Sequence, residues 1–66
     1  MQKRIFHKSG QTRKLTVESV EGSGWEVRDE QNNFVRRRIR VRNWQRVERA
    51  LLMFTWEVRA AGWTEA

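Results

Sequence analysis

At Asn43 the spacing of the apolar residues changes from every second position to every third or fourth, and this switch limits the folds open to the chain. Before it, Val35-Arg36-Arg37-Arg38-Ile39-Arg40-Val41-Arg42 alternates as a half-covered strand does. After it, Trp44, Val47, Leu51, Phe54, Val58 and Ala61 fall on one helical face. Asn43 suits the N-cap, because its side-chain oxygen can accept from a first-turn amide. Gly62 suits the left-handed position just past the helix, and Trp63 the following position that packs back on Val58. A helix over 44–61 would be ~27 Å long, enough to cross a four-stranded antiparallel sheet.

Turn signals divide the chain ahead of Asn43. Arg4 to Lys8 is followed by Ser9-Gly10, Leu15 to Val20 by Gly22-Ser23-Gly24, and Trp25 to Glu30 by Gln31-Asn32-Asn33. With Val35 to Arg42 these make about four strands in a β-meander, with one C-terminal helix packed on one face: an α+β fold. The two middle loops fit three or five residues. One consistent parity places Phe6, Leu15, Val17, Trp25, Val27, Ile39 and Val41 on a common core face. Sixty-six residues make one small domain over 1–66, which buries only ~60% of its unfolded surface.

Lys and Arg number fourteen against eight Asp and Glu, a net charge of +6. Residues 1–14 carry five bases and no acid, 15–34 one base and five acids, 35–49 seven bases and one acid. Alternation sets Arg36, Arg38, Arg40 and Arg42 in a single row about 6.8 Å apart, with Arg28 and Lys14 on neighbouring strands. Such a row suits the phosphates of a nucleic acid or other polyanion. Glu18, Glu26 and Glu30 share its parity, so pairs such as Glu26 with Arg38 or Arg40 would instead neutralise part of it as a solvated face. An acidic protein partner is a third reading. Only Phe34 stands near the row as a stacking group for single strands.

The far side of the helix carries Leu52, Met53 and Trp56 with Gln45, Arg49 and Arg59. A Trp, a Leu and a Met together are either scattered exposed groups or a contact surface. The most economical contact is a two-fold homodimer through Leu52, Met53, Trp56 and Arg49. A groove for a small ligand is the remaining alternative.

Catalytic chemistry has few footholds. His7 is the only histidine and there is no cysteine, so no metal-ligand spacing and no thiolate nucleophile exist. Asp29 and Glu30, beside a turn, are expected to be solvated. Gly22-Ser23-Gly24 precedes a strand, so no helix N-terminus would meet a phosphate there. A non-enzymatic protein without cofactor, metal or small-molecule substrate is expected. No apolar run nears the ~20 residues of a membrane span, and no apolar stretch follows the basic start, so the expected setting is cytoplasmic, with no membrane partner.

The second half, from Gly24-Trp25-Glu26-Val27-Arg28 through Asn43-Trp44-Gln45-Arg46-Val47-Glu48-Arg49-Ala50-Leu51 to Ala61-Gly62-Trp63, resembles small uncharacterised bacterial proteins of similar length. That resemblance implies a bacterial or phage origin and no particular activity. Strands followed by a helix with Ala50 and Phe54 and a Gly62-Trp63 ending are also similar to the WGR domain, which implies an association with nucleic acid. The Trp-Gly-Arg signature is absent, since Glu26 and Gln45 follow Trp25 and Trp44. No binding residue is carried over from that family.

Overall fold

Two tight turns set the registers of the outer hairpins. Ser9 and Gly10 have φ of 50° and 77°, and Asn32 and Asn33 have 51° and 72°, the paired positive φ of a two-residue type I′ loop. Lys8 therefore faces Gln11, and Gln31 faces Phe34. The computed structural model describes residues 2–22 and 24–66; Ser23, within the expected Gly22-Ser23-Gly24 turn, lies outside the described residues. The elements are β1 (Gln2–Lys8), β2 (Gln11–Ser19), β3 (Trp25–Gln31), β4 (Phe34–Val41), α1 (Trp44–Ala60) and β5 (Thr64–Glu65).

The sheet is an antiparallel meander of four strands plus a fifth, in the order β4-β3-β2-β1-β5, with the C-terminal helix packed on it. The β2–β3 loop spans five residues, one of the two lengths expected, since Ser19 faces Trp25. The β3–β4 loop is shorter than expected, because a bulge on β4 absorbs the extra residue. Asp29 faces Arg37 while Glu30 faces Val35. Arg36 is left over.

Gly24 has φ +92°, and a Cβ there would strike the Val41 carbonyl and lie 2.9 Å from Arg42 Cα. Only glycine lets the β2–β3 loop pass this close to the end of β4.

The helix begins and ends where its chemistry requires. Arg46 N–H donates to Asn43 Oδ1 at 2.9 Å, capping the first turn. At the other end Gly62 N–H donates to the Arg59 carbonyl at 3.0 Å and Trp63 N–H to the Val58 carbonyl at 3.2 Å. Gly62 has φ +95°, so this is the Schellman ending that the sequence predicts. Trp63 is thereby folded into the core beside Val58.

The helix lies against β2, β3 and β4. Phe6, Leu15, Val17 and Val27 from the sheet meet Val47, Ala50, Phe54, Val58 and Trp63, all buried. The common face is thus as expected, with corrections at its margins. Ile39 remains 37% exposed because β4 is an edge strand, with no neighbour beyond it among the described residues. Trp44 and Ala61 are exposed, and Ala50 and Thr55 take their places in the buried stripe. Trp44 instead sits edge-on to Trp25, ring centroids 5.4 Å apart.

Beyond Trp63 the chain runs back beside β1. Phe6 faces Glu65, His7 faces Thr64, and Ala66 N–H donates to the Ile5 carbonyl at 2.8 Å. This two-residue strand is too short to leave a periodic signal in the sequence.

Candidate functional site

The strand registers decide what the arginines do. Arg37, Ile39 and Val41 face Asp29, Val27 and Trp25 on β3 and so lie on the helix-covered side. Arg38 and Arg40 lie on the other side, opposite Arg28 and Glu26. Arg36, displaced by the bulge, donates to Gln31 Oε1 at 2.6 Å and lines a concavity with Arg13 and Trp63 on the covered side. Arg42 follows the end of β4, in the bend before α1. The expected row of four is therefore corrected. Two arginines stand together within the strand, one has left through the bulge, and one continues past its end.

Acids on the same side engage much of the remaining charge. Arg28 Nη2 is 2.6 Å from Glu18 Oε1, and its Nε is 3.3 Å from Glu26 Oε1. Arg40 Nε lies 3.5 Å from the other oxygen of Glu26, and Lys14 Nζ lies 4.0 Å from Glu30. Each of the three glutamates of matching parity thus has a basic neighbour. Among the described residues Arg38 and Arg42 have no carboxylate partner. His7 is exposed on β1.

A different ionic group occupies the covered side, where the sequence gives little sign of one. Asp29 is 0% exposed, which corrects its expected solvation. Arg13 on β2 holds it with two bonds, Nε to Oδ1 at 2.8 Å and Nη2 to Oδ2 at 2.7 Å. Arg37 on β4 adds a third, Nε to Oδ2 at 3.0 Å, and reaches Glu57 of α1 with Nη1 at 3.0 Å. The Arg37 guanidinium lies 3.9 Å from the Phe54 ring centroid, and that of Arg13 5.6 Å from the Trp63 centroid. Burial pushes the Asp29 carboxyl up, but the hydrogen bonds and charge of Arg13, then of Arg37, outweigh it and hold the group below its ordinary value. The bond to Asp29 raises Arg13 in turn.

A second such group ties down β5. Arg4 donates to both oxygens of Glu65 at 2.9 Å, and Arg59 Nη2 donates to Oε1 at 2.8 Å. Hydrogen bonds from Arg4 and then Arg59 lower the Glu65 carboxyl. Arg4 Nη1 also reaches Thr55 Oγ1 at 3.3 Å, linking this group to the helix.

The outer face of α1 keeps its apolar groups uncovered. Trp56 is 72% exposed, Leu52 68% and Met53 52%. With Arg49 they lie within one sector of the helix, since positions 49, 52, 53 and 56 recur at three- and four-residue steps. Toward β4, Met53, Ala50, Arg46 and Arg49 line a groove of about 160 Å³ together with Ile39 and Val41. At the start of the helix Arg40, Arg42 and Arg46 surround a concavity of about 340 Å³ with Val41 and Asn43. Among the described residues no helix is long and apolar enough to cross a membrane.

No protein-family model matches the chain, and no curated protein or solved structure is significantly similar to it. Any functional reading therefore rests on the residues themselves.

Proposed function

We propose that this chain is a small, non-enzymatic binding or scaffold protein of the cytoplasm that associates with a second copy through the outer face of α1. The observation that carries this reading is the contiguous exposure of Leu52, Met53 and Trp56 beside Arg49. Trp, Met and Arg are enriched at the centres of protein interfaces. Covering a tryptophan that is 72% exposed would add apolar burial that a domain of this size has little other means of gaining. Light scattering over a concentration series tests it. The expected result is a dimer that Trp56→Glu converts to a monomer with an unchanged circular dichroism spectrum. A wild-type chain that stays monomeric at every concentration overturns the reading.

A second reading, binding of nucleic acid or another polyanion, is favoured by the concavity that Arg40, Arg42 and Arg46 surround. Titration with single- and double-stranded oligonucleotides at low salt tests it. Arg42→Glu with Arg46→Glu should weaken the shift and lower its salt slope by about one for each phosphate no longer neutralised. Absence of any shift at low salt overturns it.

A further inference from the structure

We propose that the free edge of β4, with the groove beside it, receives an extended acidic segment of a partner protein as an added strand. This goes beyond the association through α1, since it uses another part of the molecule; only Met53 and Arg49 border both surfaces.

The two edges of the sheet are unlike. On one side the short β5 covers part of β1 and is fastened through Glu65 to Arg4 and Arg59. On the other side β4 has eight residues and, among the described residues, no strand beyond it. Its outward amides and carbonyls are a template for pairing. The bulge falls near the Phe34 end, so Arg37 to Val41 keep an uninterrupted register against β3.

The side chains along this edge select the occupant. On the covered side Ile39 is 37% exposed although Val27 opposite it is fully buried. Ile39 and Val41 open into the groove bordered by Ala50 and Met53, which has room for an aliphatic side chain from a neighbouring strand. On the outer side stand Arg38, without a carboxylate partner among the described residues, and Arg40, whose contact with Glu26 is long at 3.5 Å. Arg42 lies just beyond. An incoming strand thus meets apolar and basic positions in turn. Acids opposite the arginines, alternating with aliphatic residues opposite Ile39 and Val41, match both.

A second copy does not match. Antiparallel pairing of the regular segment from Arg37 to Val41 with its own copy, in a register that continues the covered face, sets residues of equal parity opposite one another. Arginines 38 and 40 would then face each other or other arginines across the seam, and like charges directly opposite are destabilising. The basic edge therefore discourages self-pairing and admits an acidic strand. A nucleic acid would satisfy the arginines but would leave the edge amides and the apolar groove unused.

The test is fluorescence anisotropy with a short fluorescein-labelled peptide of alternating Glu and Val. It is titrated into the full chain and into Trp56→Glu, so that failure of the α1 contact and failure of this one are read separately. Binding is expected to both proteins, to weaken about tenfold or more with Arg38→Glu, and to protect in hydrogen exchange the outward-pointing amides between Arg37 and Val41, the alternate ones being bonded to β3 already. On the wild-type chain, methylating the peptide's pairing-side amides keeps its charge and should abolish binding. The proposal fails if the peptide does not bind, if the methylated peptide or an all-Glu peptide binds equally well, or if oligothymidylate binds the same edge in preference.

Discussion

Both faces of the sheet carry arginine–carboxylate groups, yet the two sets have different consequences. On the covered face Asp29 is wholly buried and receives three bonds from Arg13 and Arg37. On the outer face Glu26 lies 3.3 Å from Arg28 and 3.5 Å from Arg40, and Arg40 is largely in water. In the first setting the charges are costly to bury and more costly to separate; in the second, Arg40 at 68% side-chain exposure stands in water, which screens its charge against Glu26, itself only 13% exposed. The same pair of residue types is therefore a structural constraint beneath the helix and a charge-balancing device outside it.

The largest test of that contrast is Asp29→Ala. It leaves Arg13 buried and unpaired, and should lower stability by about 3–5 kcal/mol. That is a large part of the few kcal/mol a chain of this size has, so urea denaturation should show a broad, early transition. Replacing the pair together, Asp29→Leu with Arg13→Met, should recover much of the loss, because no stranded charge remains. If the double variant is as unstable as the single one, burial of an unpaired charge is not the cause.

Acid should act on the covered face in the same direction. Arg13 and Arg37 hold Asp29 below 3.8 in the folded protein, and Arg4 and Arg59 hold Glu65 below 4.5. Folded-state values below the unfolded ones mean that the unfolded chain binds protons first as pH falls. This stabilisation is fully present above those ordinary values and is lost as pH drops through the depressed ones. The thermal midpoint should accordingly fall steeply below pH 3.8 in the wild-type chain, and less steeply in Asp29→Leu with Arg13→Met.

Two smaller changes grade the contrast. Glu65→Gln weakens bonds from two arginines in a half-buried setting and should cost about 1–2 kcal/mol, with faster exchange of the Ala66 amide. Glu26→Gln on the outer face should alter stability by about 1 kcal/mol or less, and high salt should erase the difference. A Glu26 effect as large as that of Asp29 would dissolve the distinction between the faces.

Much of this architecture is legible before folding. Asn43 and Gly62-Trp63 mark the helix ends because capping is local chemistry, carried by residues within a few positions of one another. The parity of Leu15, Val17 and Val27 marks the core because alternation survives whatever the register. Asp29 escapes the same reasoning. Its neighbours in sequence are polar, and the arginines that make its burial tolerable come from strands on either side. Arg36 escapes because a bulge is a single-residue event that alternation cannot register. The exposed set at Leu52, Met53 and Trp56 follows from helical angle alone, whereas the groove beside β4 needs the helix placed against Ile39.

The pairing of β5 with β1 also has a consequence for the order of events in folding. The hairpins close over loops of two, five and two residues, whereas Arg4 and Glu65 are 61 positions apart. Loop-closure entropy favours the short circuits first, and the long one gains its partners only once β1 and α1 are in place. The last strand is thus the natural final arrival and the first departure. The folded chain should spend part of its time with that edge open while the strands around Asp29 stay closed.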